Sequence, residues 1–370
     1  MSQVRSKSAG ARQLYQHPNT LAMHRGGSLA SPILAYETWG QRNERGDNTV
    51  LLFTGLSPSA HAASSPADPS PGWWEEMVGP GRPIDTDRFF VVCVNSIGSC
   101  FGSTGPASPE PDTGELYRTN FPVLSLEDLA TGSALVLDHL GIEQVHTVVG
   151  CSMGGMTALA FSIRFPDRAG SLVSVSSAAR AAPFAIALRS LQREMVRRDP
   201  EWRAGHYAGD GPTLGMKMAR KLGMISYRSA EEWLMRFGRE RVSAERQAND
   251  PFCIDFEVES YLQAHAEKFT GDFDPNCYLY LSRAMDLFDV ADYGGSVTSG
   301  LAKTRLSRAL VIGVTSDILF PVAQQAELSE ALQASGADVR FEVLPSIQGH
   351  DSFLVDMDRF RPVIGDWFLG

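Results

Sequence analysis

Two rhythms of apolar residues alternate along the chain. In its first half, short β-branched and apolar runs at 33–38, 49–54, 89–95, 145–150 and 171–176 recur between polar, Gly- and Pro-rich stretches. The later runs are apolar nearly throughout, the pattern of strands buried on both faces of a parallel sheet. Between two of them, positions 125–140 carry Leu126, Leu129, Val136, Leu137 and Leu140 on one helical face, with Ser125 three residues before Asp128 as a capping signal. A crossover helix is predicted there. The alternation as a whole predicts an α/β fold with a mostly parallel central sheet and helices on both faces.

Beyond residue 182 the strand runs disappear. Helical windows rich in Arg, Glu, Met and aromatics follow at 184–198, 215–222, 230–237 and 258–268. Strand character returns at 309–314 and 339–344, with a helix at 321–334 between them and a last helix from Ser352. The sheet therefore resumes where it was interrupted. The expected organisation is one core from residues 1–182 and 297–370, with residues 183–296 inserted as a helical lid.

Composition narrows the function. With 43% hydrophobic and 21% charged residues over 370 positions, the chain can bury a large core, which excludes disorder and fibre. A formal charge of -10 offers no basic field for nucleic acid or an anionic membrane surface. No stretch reaches the roughly 18 apolar residues of a membrane span, and residues 1–27 are polar without a signal-like apolar block, so a cytoplasmic protein is expected. Cys93, Cys100, Cys151, Cys253 and Cys277 form no C-x-x-C pair, so neither a disulfide framework nor a zinc or other metal site is encoded.

Gly150-Cys151-Ser152-Met153-Gly154 matches G-x-S-x-G, entered from a buried strand and left through a run of small and apolar residues. That context predicts a strained strand-to-helix turn with Ser152 as nucleophile. A serine hydroxyl needs a base and an orienting carboxylate, in the chain order Ser, Asp, His. Asp317 follows the strand at 309–314, and His350 follows the strand at 339–344. Developing oxyanion charge requires two N–H donors, expected at Met153, directly after the nucleophile, and at Leu56 in the loop after an early strand.

Over nearly its whole length the sequence resembles the homoserine O-acetyltransferase family of α/β-hydrolase-fold acyltransferases. The matching stretches are Ala35-Tyr36-Glu37-Thr38-Trp39-Gly40, Gly102-Ser103-Thr104-Gly105-Pro106, Ser152-Met153-Gly154-Gly155-Met156, Ala219-Arg220-Lys221-Leu222, Asn276-Cys277-Tyr278-Leu279-Tyr280 and Gly349-His350-Asp351. Where homoserine-specific members usually read Leu-Thr-Gly, this chain has Leu56-Ser57-Pro58 after Gly55, followed by Ala60-His61-Ala62. With the segment from Ile186 to Glu194, this is most similar to the serine O-succinyltransferase branch.

The resemblance implies transfer of a succinyl group from succinyl-CoA to the hydroxyl of L-serine through an acyl-Ser152 intermediate, in cysteine synthesis. It also implies no bound cofactor and a homodimer formed through the helical lid. Arg220 and Asp351 would contact the carboxylate and ammonium of the acceptor, and the Gly55 to Pro58 loop would select it. Arg220 could also be surface charge beside Lys217 and Lys221, and Asp351 a helix cap. Acetyl-CoA as donor, homoserine as acceptor and a hydrolase built on the same triad stay open. Arg189 is expected to select the donor: it is a lone charge after Ala185, Ile186, Ala187 and Leu188, with no acid three or four positions away. A snorkelling Arg or an ion pair with a distant residue is the alternative.

Overall fold

The computed structural model describes residues 10–243 and 251–370; the first nine residues of the polar N-terminal stretch thus lie outside the described residues. Eight strands form one sheet: β1 (Gln13–Gln16), β2 (Ile33–Trp39), β3 (Thr49–Phe53), β4 (Phe90–Val94), β5 (Val145–Cys151), β6 (Ala169–Val175), β7 (Arg308–Val314) and β8 (Asp338–Leu344). Their spatial order is β1-β2-β4-β3-β5-β6-β7-β8. β1 and β2 run antiparallel to their neighbours, and every pairing from β4 to β8 is parallel.

Before β7, helices α1 (Leu126–His139), α2 (Met153–Arg164), α3 (Pro183–Arg198), α4 (Thr213–Tyr227), α5 (Ala230–Phe237), α6 (Glu257–Phe269), α7 (Pro275–Leu287) and α8 (Val297–Leu301) follow one another in the chain. α9 (Val322–Ala334) joins β7 to β8, and α10 (Ser352–Val355) and α11 (Met357–Leu369) end the chain.

Alternate residues of the central strands serve two cores. Leu51, Phe53 and Val148 face α1 and α2, whereas Val50, Leu52 and Val149 face Trp74 and the apolar side of α11, Phe360, Ile364 and Trp367. Both sheet faces are covered, which is why the strands read as unbroken apolar runs. At the start of α1 the Asp128 carboxylate accepts from the Ser125 N–H at 2.8 Å and its hydroxyl at 2.9 Å, so the capping signal is real.

Four differences from the sequence expectation have a physical cause. β1 escapes the reading because it is an edge strand whose Leu14 is exposed, leaving no core-facing period. α4 continues past Gly223 to Tyr227. That glycine is no terminator: a Cβ there would lie 3.0 Å from Gln192 Nε2 on α3, so its bareness lets the two helices approach. α7 was legible only as a motif, although Asp274 accepts from the Cys277 N–H at 2.9 Å and Pro275 occupies the first turn. The last helix is two, broken at Asp356, whose carboxylate takes the Ser346 hydroxyl at 2.6 Å and Arg359 Nε at 3.0 Å.

Phe360 is fully buried between α11 and the sheet. Phe360→Ala should lower unfolding free energy by about 3–5 kcal/mol in urea titrations, the range for emptying an aromatic core site; a change below about 1 kcal/mol would contradict the packing described.

Candidate active site

β5 ends at Cys151 and α2 begins at Met153, leaving Ser152 as the whole turn at φ 55° and ψ -123°. A positive φ on a residue with a Cβ costs about 1–3 kcal/mol and persists only where neighbours enforce it. Here the Ser152 N–H donates to the Val175 carbonyl at 2.9 Å, and the Ser177 hydroxyl donates to the Ser152 carbonyl at 2.7 Å. The flanking glycines permit the closure. A Cβ on Gly154 would stand 2.5 Å from the Phe53 carbonyl oxygen, and one on Gly150 would stand 2.2 Å from the Gly154 carbonyl carbon.

The loops after β7 and β8 bring the two partners. Ser152 Oγ lies 2.8 Å from His350 Nε2, and His350 Nδ1 lies 2.7 Å from Asp317 Oδ2. Asp317 is locked in turn, its Oδ1 accepting the N–H groups of Leu319 at 2.9 Å and Phe320 at 3.0 Å. With Nδ1–H donated to Asp317, Nε2 is left as the acceptor for the serine proton. Phe320 stacks on the imidazole at 5.1 Å and Phe353 meets it edge-on at 5.5 Å, which fixes the ring plane. Burial opposes the charged imidazolium, yet the Asp317 charge and hydrogen bond outweigh it, and Asp351 adds to them, so the His350 pKa is raised above its ordinary value.

Among the described residues, neither the Leu56 nor the Met153 N–H donates to another protein group. Met153 opens α2, where N–H groups have no intrahelical acceptor. Leu56 stands with Gly55, Ser57 and Pro58 on the wall of a cavity of about 100 Å³ that also contains Ser152 and His350. Core and inserted helices share this cavity: α3 contributes Leu188, Arg189 and Gln192, α4 contributes Tyr227, and α7 contributes Tyr278 and Ser282.

Asp351 lines the same cavity, but it is already engaged, with Oδ2 at 3.2 Å from Arg228 Nε. Burial pushes the Asp351 pKa up, while Arg228, His350 and Arg220 pull against that rise. Arg220 lies in an adjoining smaller cavity that shares Leu56, Ser57, Gln192, Tyr227 and Tyr278 with the first. Its guanidinium sits 4.6 Å over the Phe269 ring, and its buried Nε has no hydrogen-bond partner among the described residues.

Arg189 is buried and its Nε is 2.6 Å from Asp286 Oδ1. The sequence offers no acidic partner within one turn, and α7 supplies one 97 residues away. Arg189 Nη2 is nonetheless buried without a partner among the described residues. His61 stands behind the loop rather than in the cavity: it pairs with Glu37 of β2 at 2.8 Å and with the Ser70 carbonyl at 2.9 Å, anchoring the segment after Pro58. Reading the sequence did not find Trp73, Tyr227, Arg228 and Asp286, because each reaches the site only through tertiary packing and none carries a local motif.

This arrangement can perform acyl transfer through a serine nucleophile. Among the described residues no group of His, Cys, Asp and Glu is placed to hold a metal ion, and no helix is long and apolar enough to cross a membrane. A model of the α/β hydrolase fold family matches residues 48–356. A serine O-succinyltransferase of Litchfieldella anticariensis is 55% identical over 359 residues, covering 96% of this chain and 98% of that protein. One from Xanthomonas campestris is 56% identical over 359 residues and covers 94% of each chain. In three dimensions, homoserine O-acetyltransferase from Bacillus anthracis superposes with a TM-score of 0.88 over 96% of both chains at 24% identity, a likeness that speaks to the fold. The serine-centred relay and relatives identical at more than half of all positions converge, and the chain belongs to the α/β-hydrolase fold family and, within it, to the O-acyltransferases that include these serine O-succinyltransferases.

Proposed function

We propose that this O-acyltransferase moves a succinyl group from succinyl-CoA to the hydroxyl of L-serine in two half-reactions at Ser152. The observation that carries this reading is the relay of Ser152, His350 and Asp317 at 2.8 and 2.7 Å inside a cavity that also holds a buried arginine. In the first half-reaction Ser152 Oγ attacks the thioester carbonyl and His350 Nε2 takes its proton. The tetrahedral oxyanion is held by the Leu56 and Met153 N–H groups, the C–S bond breaks, and the CoA sulfur leaves with the proton from His350. In the second, the serine hydroxyl gives its proton to His350 and attacks the acyl-enzyme, and Ser152 recovers a proton as O-succinyl-L-serine departs.

Water competes with the acceptor at the second step. The inserted helices between 183 and 296 act as the lid against it, a role supported by the cavity wall that α3, α4 and α7 supply. Arg220 holds the acceptor carboxylate and Asp351 its ammonium; the unpartnered Arg220 Nε and the single Asp351 oxygen given to Arg228 support both roles. The Gly55 to Pro58 loop favours serine because the shorter side chain must be brought closer to the acyl carbon. Arg189 selects the donor, supported by its place on the cavity wall and by its buried, unpartnered Nη2: a terminal carboxylate would otherwise be buried unpaired. Exposed Phe184 and Leu191 on α3 with Leu214, Met218 and Ile225 on α4 support a homodimer through the lid. The free state of all five cysteines fits a cytoplasmic enzyme, and its activated serine ester suits cysteine synthesis.

An intact-mass measurement with succinyl-CoA alone should show one succinyl adduct, absent in Ser152→Ala; no adduct under rapid quench would count against the two-step route. A matrix of succinyl-CoA and acetyl-CoA against serine and homoserine should favour serine by about 10- to 200-fold in kcat/KM, the range for one methylene. In that matrix Arg189→Ala should lose activity with succinyl-CoA while sparing acetyl-CoA, and product formed equally without any amino-acid acceptor would mark a hydrolase instead. The neutral form of His350 is the active one, so kcat/KM should fall as pH drops through a pKa above the ordinary histidine value of about 6.5. Asp317→Asn removes the largest raising influence and leaves burial opposed by Asp351 alone, which lowers the pKa. Its acid limb should move to lower pH while the plateau drops by about 10⁴-fold, and an unmoved limb would show that Asp317 does not set the His350 pKa.

A further inference from the structure

α7 lies along α3 behind the cavity, and one carboxylate on it serves two arginines. Asp286 Oδ1 is 2.6 Å from Arg189 Nε, and its Oδ2 is 2.7 Å from Arg193 Nη2. Arg193 also donates from Nη1 to the Ser282 hydroxyl at 3.0 Å. The three side chains are only 9%, 18% and 8% exposed for Arg189, Arg193 and Asp286, so two positive charges and one negative charge are withdrawn from water together. An isolated arginine and aspartate would form a two-pronged fork that satisfies both partners. Here the carboxylate is divided: Oδ1 accepts from Arg189 Nε, while Oδ2 faces Arg193 Nη2 as an ion pair without hydrogen-bond geometry, and Arg189 Nη2 is left buried with no hydrogen-bond partner among the described residues. A buried cluster with one cation in excess, and one guanidinium nitrogen unsatisfied, is costly in isolation and is relieved by a single anion entering beside it.

We infer that Asp286 is a positioning residue that determines donor specificity: it pins Arg189 by a single oxygen and leaves one nitrogen and one net positive charge for an acyl thioester with a distal carboxylate. The inference rests on the reading of Arg189 as the donor-selecting residue and extends it to a group that touches no substrate. Asp286 acts on the ligand through Arg189 alone. Removing its charge frees the guanidinium to swing and raises the excess positive charge, while a donor without a distal carboxylate meets neither change.

The test is kcat/KM for succinyl-CoA and acetyl-CoA at saturating serine in wild type, Asp286→Asn, Arg189→Ala and the double variant, with thermal melts of each. Asp286→Asn should lose roughly 10- to 100-fold with succinyl-CoA, the penalty of a displaced binding group, and stay within about threefold with acetyl-CoA. The double variant should be no worse with succinyl-CoA than Arg189→Ala, because both act on one contact. Equal losses with both donors, an unchanged donor ratio, or losses that add in the double variant would overturn the role of Asp286. A donor ratio unchanged in Arg189→Ala would instead overturn the Arg189 reading beneath it, so the two failures are distinct. If Asp286→Asn does not fold, Asp286→Glu keeps the charge and moves it by one methylene. It should reduce the succinyl preference with acetyl-CoA activity retained, and an unaltered preference would again count against the inference.

Discussion

Ser152 sits at φ 55° in a turn one residue long, and the central strands are arranged so that no other conformation fits. Its N–H is taken by β6, its carbonyl by Ser177 just beyond β6, and the backbone of β3 leaves no room for a side chain at Gly154. The strain is therefore distributed over three parallel strands that are buried almost throughout, with β5 hydrogen-bonded to β3 on one side and to β6 on the other. This constraint aims the hydroxyl at the edge of the sheet where the loops after β7 and β8 deliver Asp317 and His350.

Around that relay, charge is arranged in unequal numbers. Asp317 is fully satisfied, with His350 on one oxygen and two N–H groups on the other. Asp351 and Asp286 are each bound to arginine, yet Arg189 and Arg220 both keep a buried nitrogen without a partner among the described residues. A pocket whose arginines keep unpaired donors discriminates by penalty: a neutral ligand leaves those donors dehydrated and unpaired. Tyr227, Tyr278, Phe320 and Phe353 line the same cavity with aromatic surface, which lowers the local dielectric around these charges.

How much of this was legible in the sequence follows from how local each feature is. The turn at Ser152, the order of Ser152, Asp317 and His350, and the Ser125 to Asp128 cap are read from neighbouring residues, and the structure brings the three side chains within hydrogen-bond distance and forms the cap. Buried strands announce themselves by composition, so their limits fall within two residues. The end of α4 was not legible, because a glycine such as Gly223 that lets two helices touch looks in sequence like one that ends a helix. Arg189 was legible as a lone charge, whereas its partner Asp286 was not, since nothing local to either position records that α7 will lie along α3.

The relay spans 198 residues from Ser152 to His350, and the intervening stretch contains the whole helical insertion and β7. Among the described residues β8 pairs only with β7, and the Trp74 indole donates to the Phe353 carbonyl at 2.9 Å across 279 residues, tying the last helices to the first half of the core. A chain on its way to the native state can thus form the turn at Ser152 early and still have no base beside it. The Ser152 hydroxyl has no histidine within hydrogen-bond reach until the final strand docks. Assembly of the proposed relay and completion of the fold are thus one event.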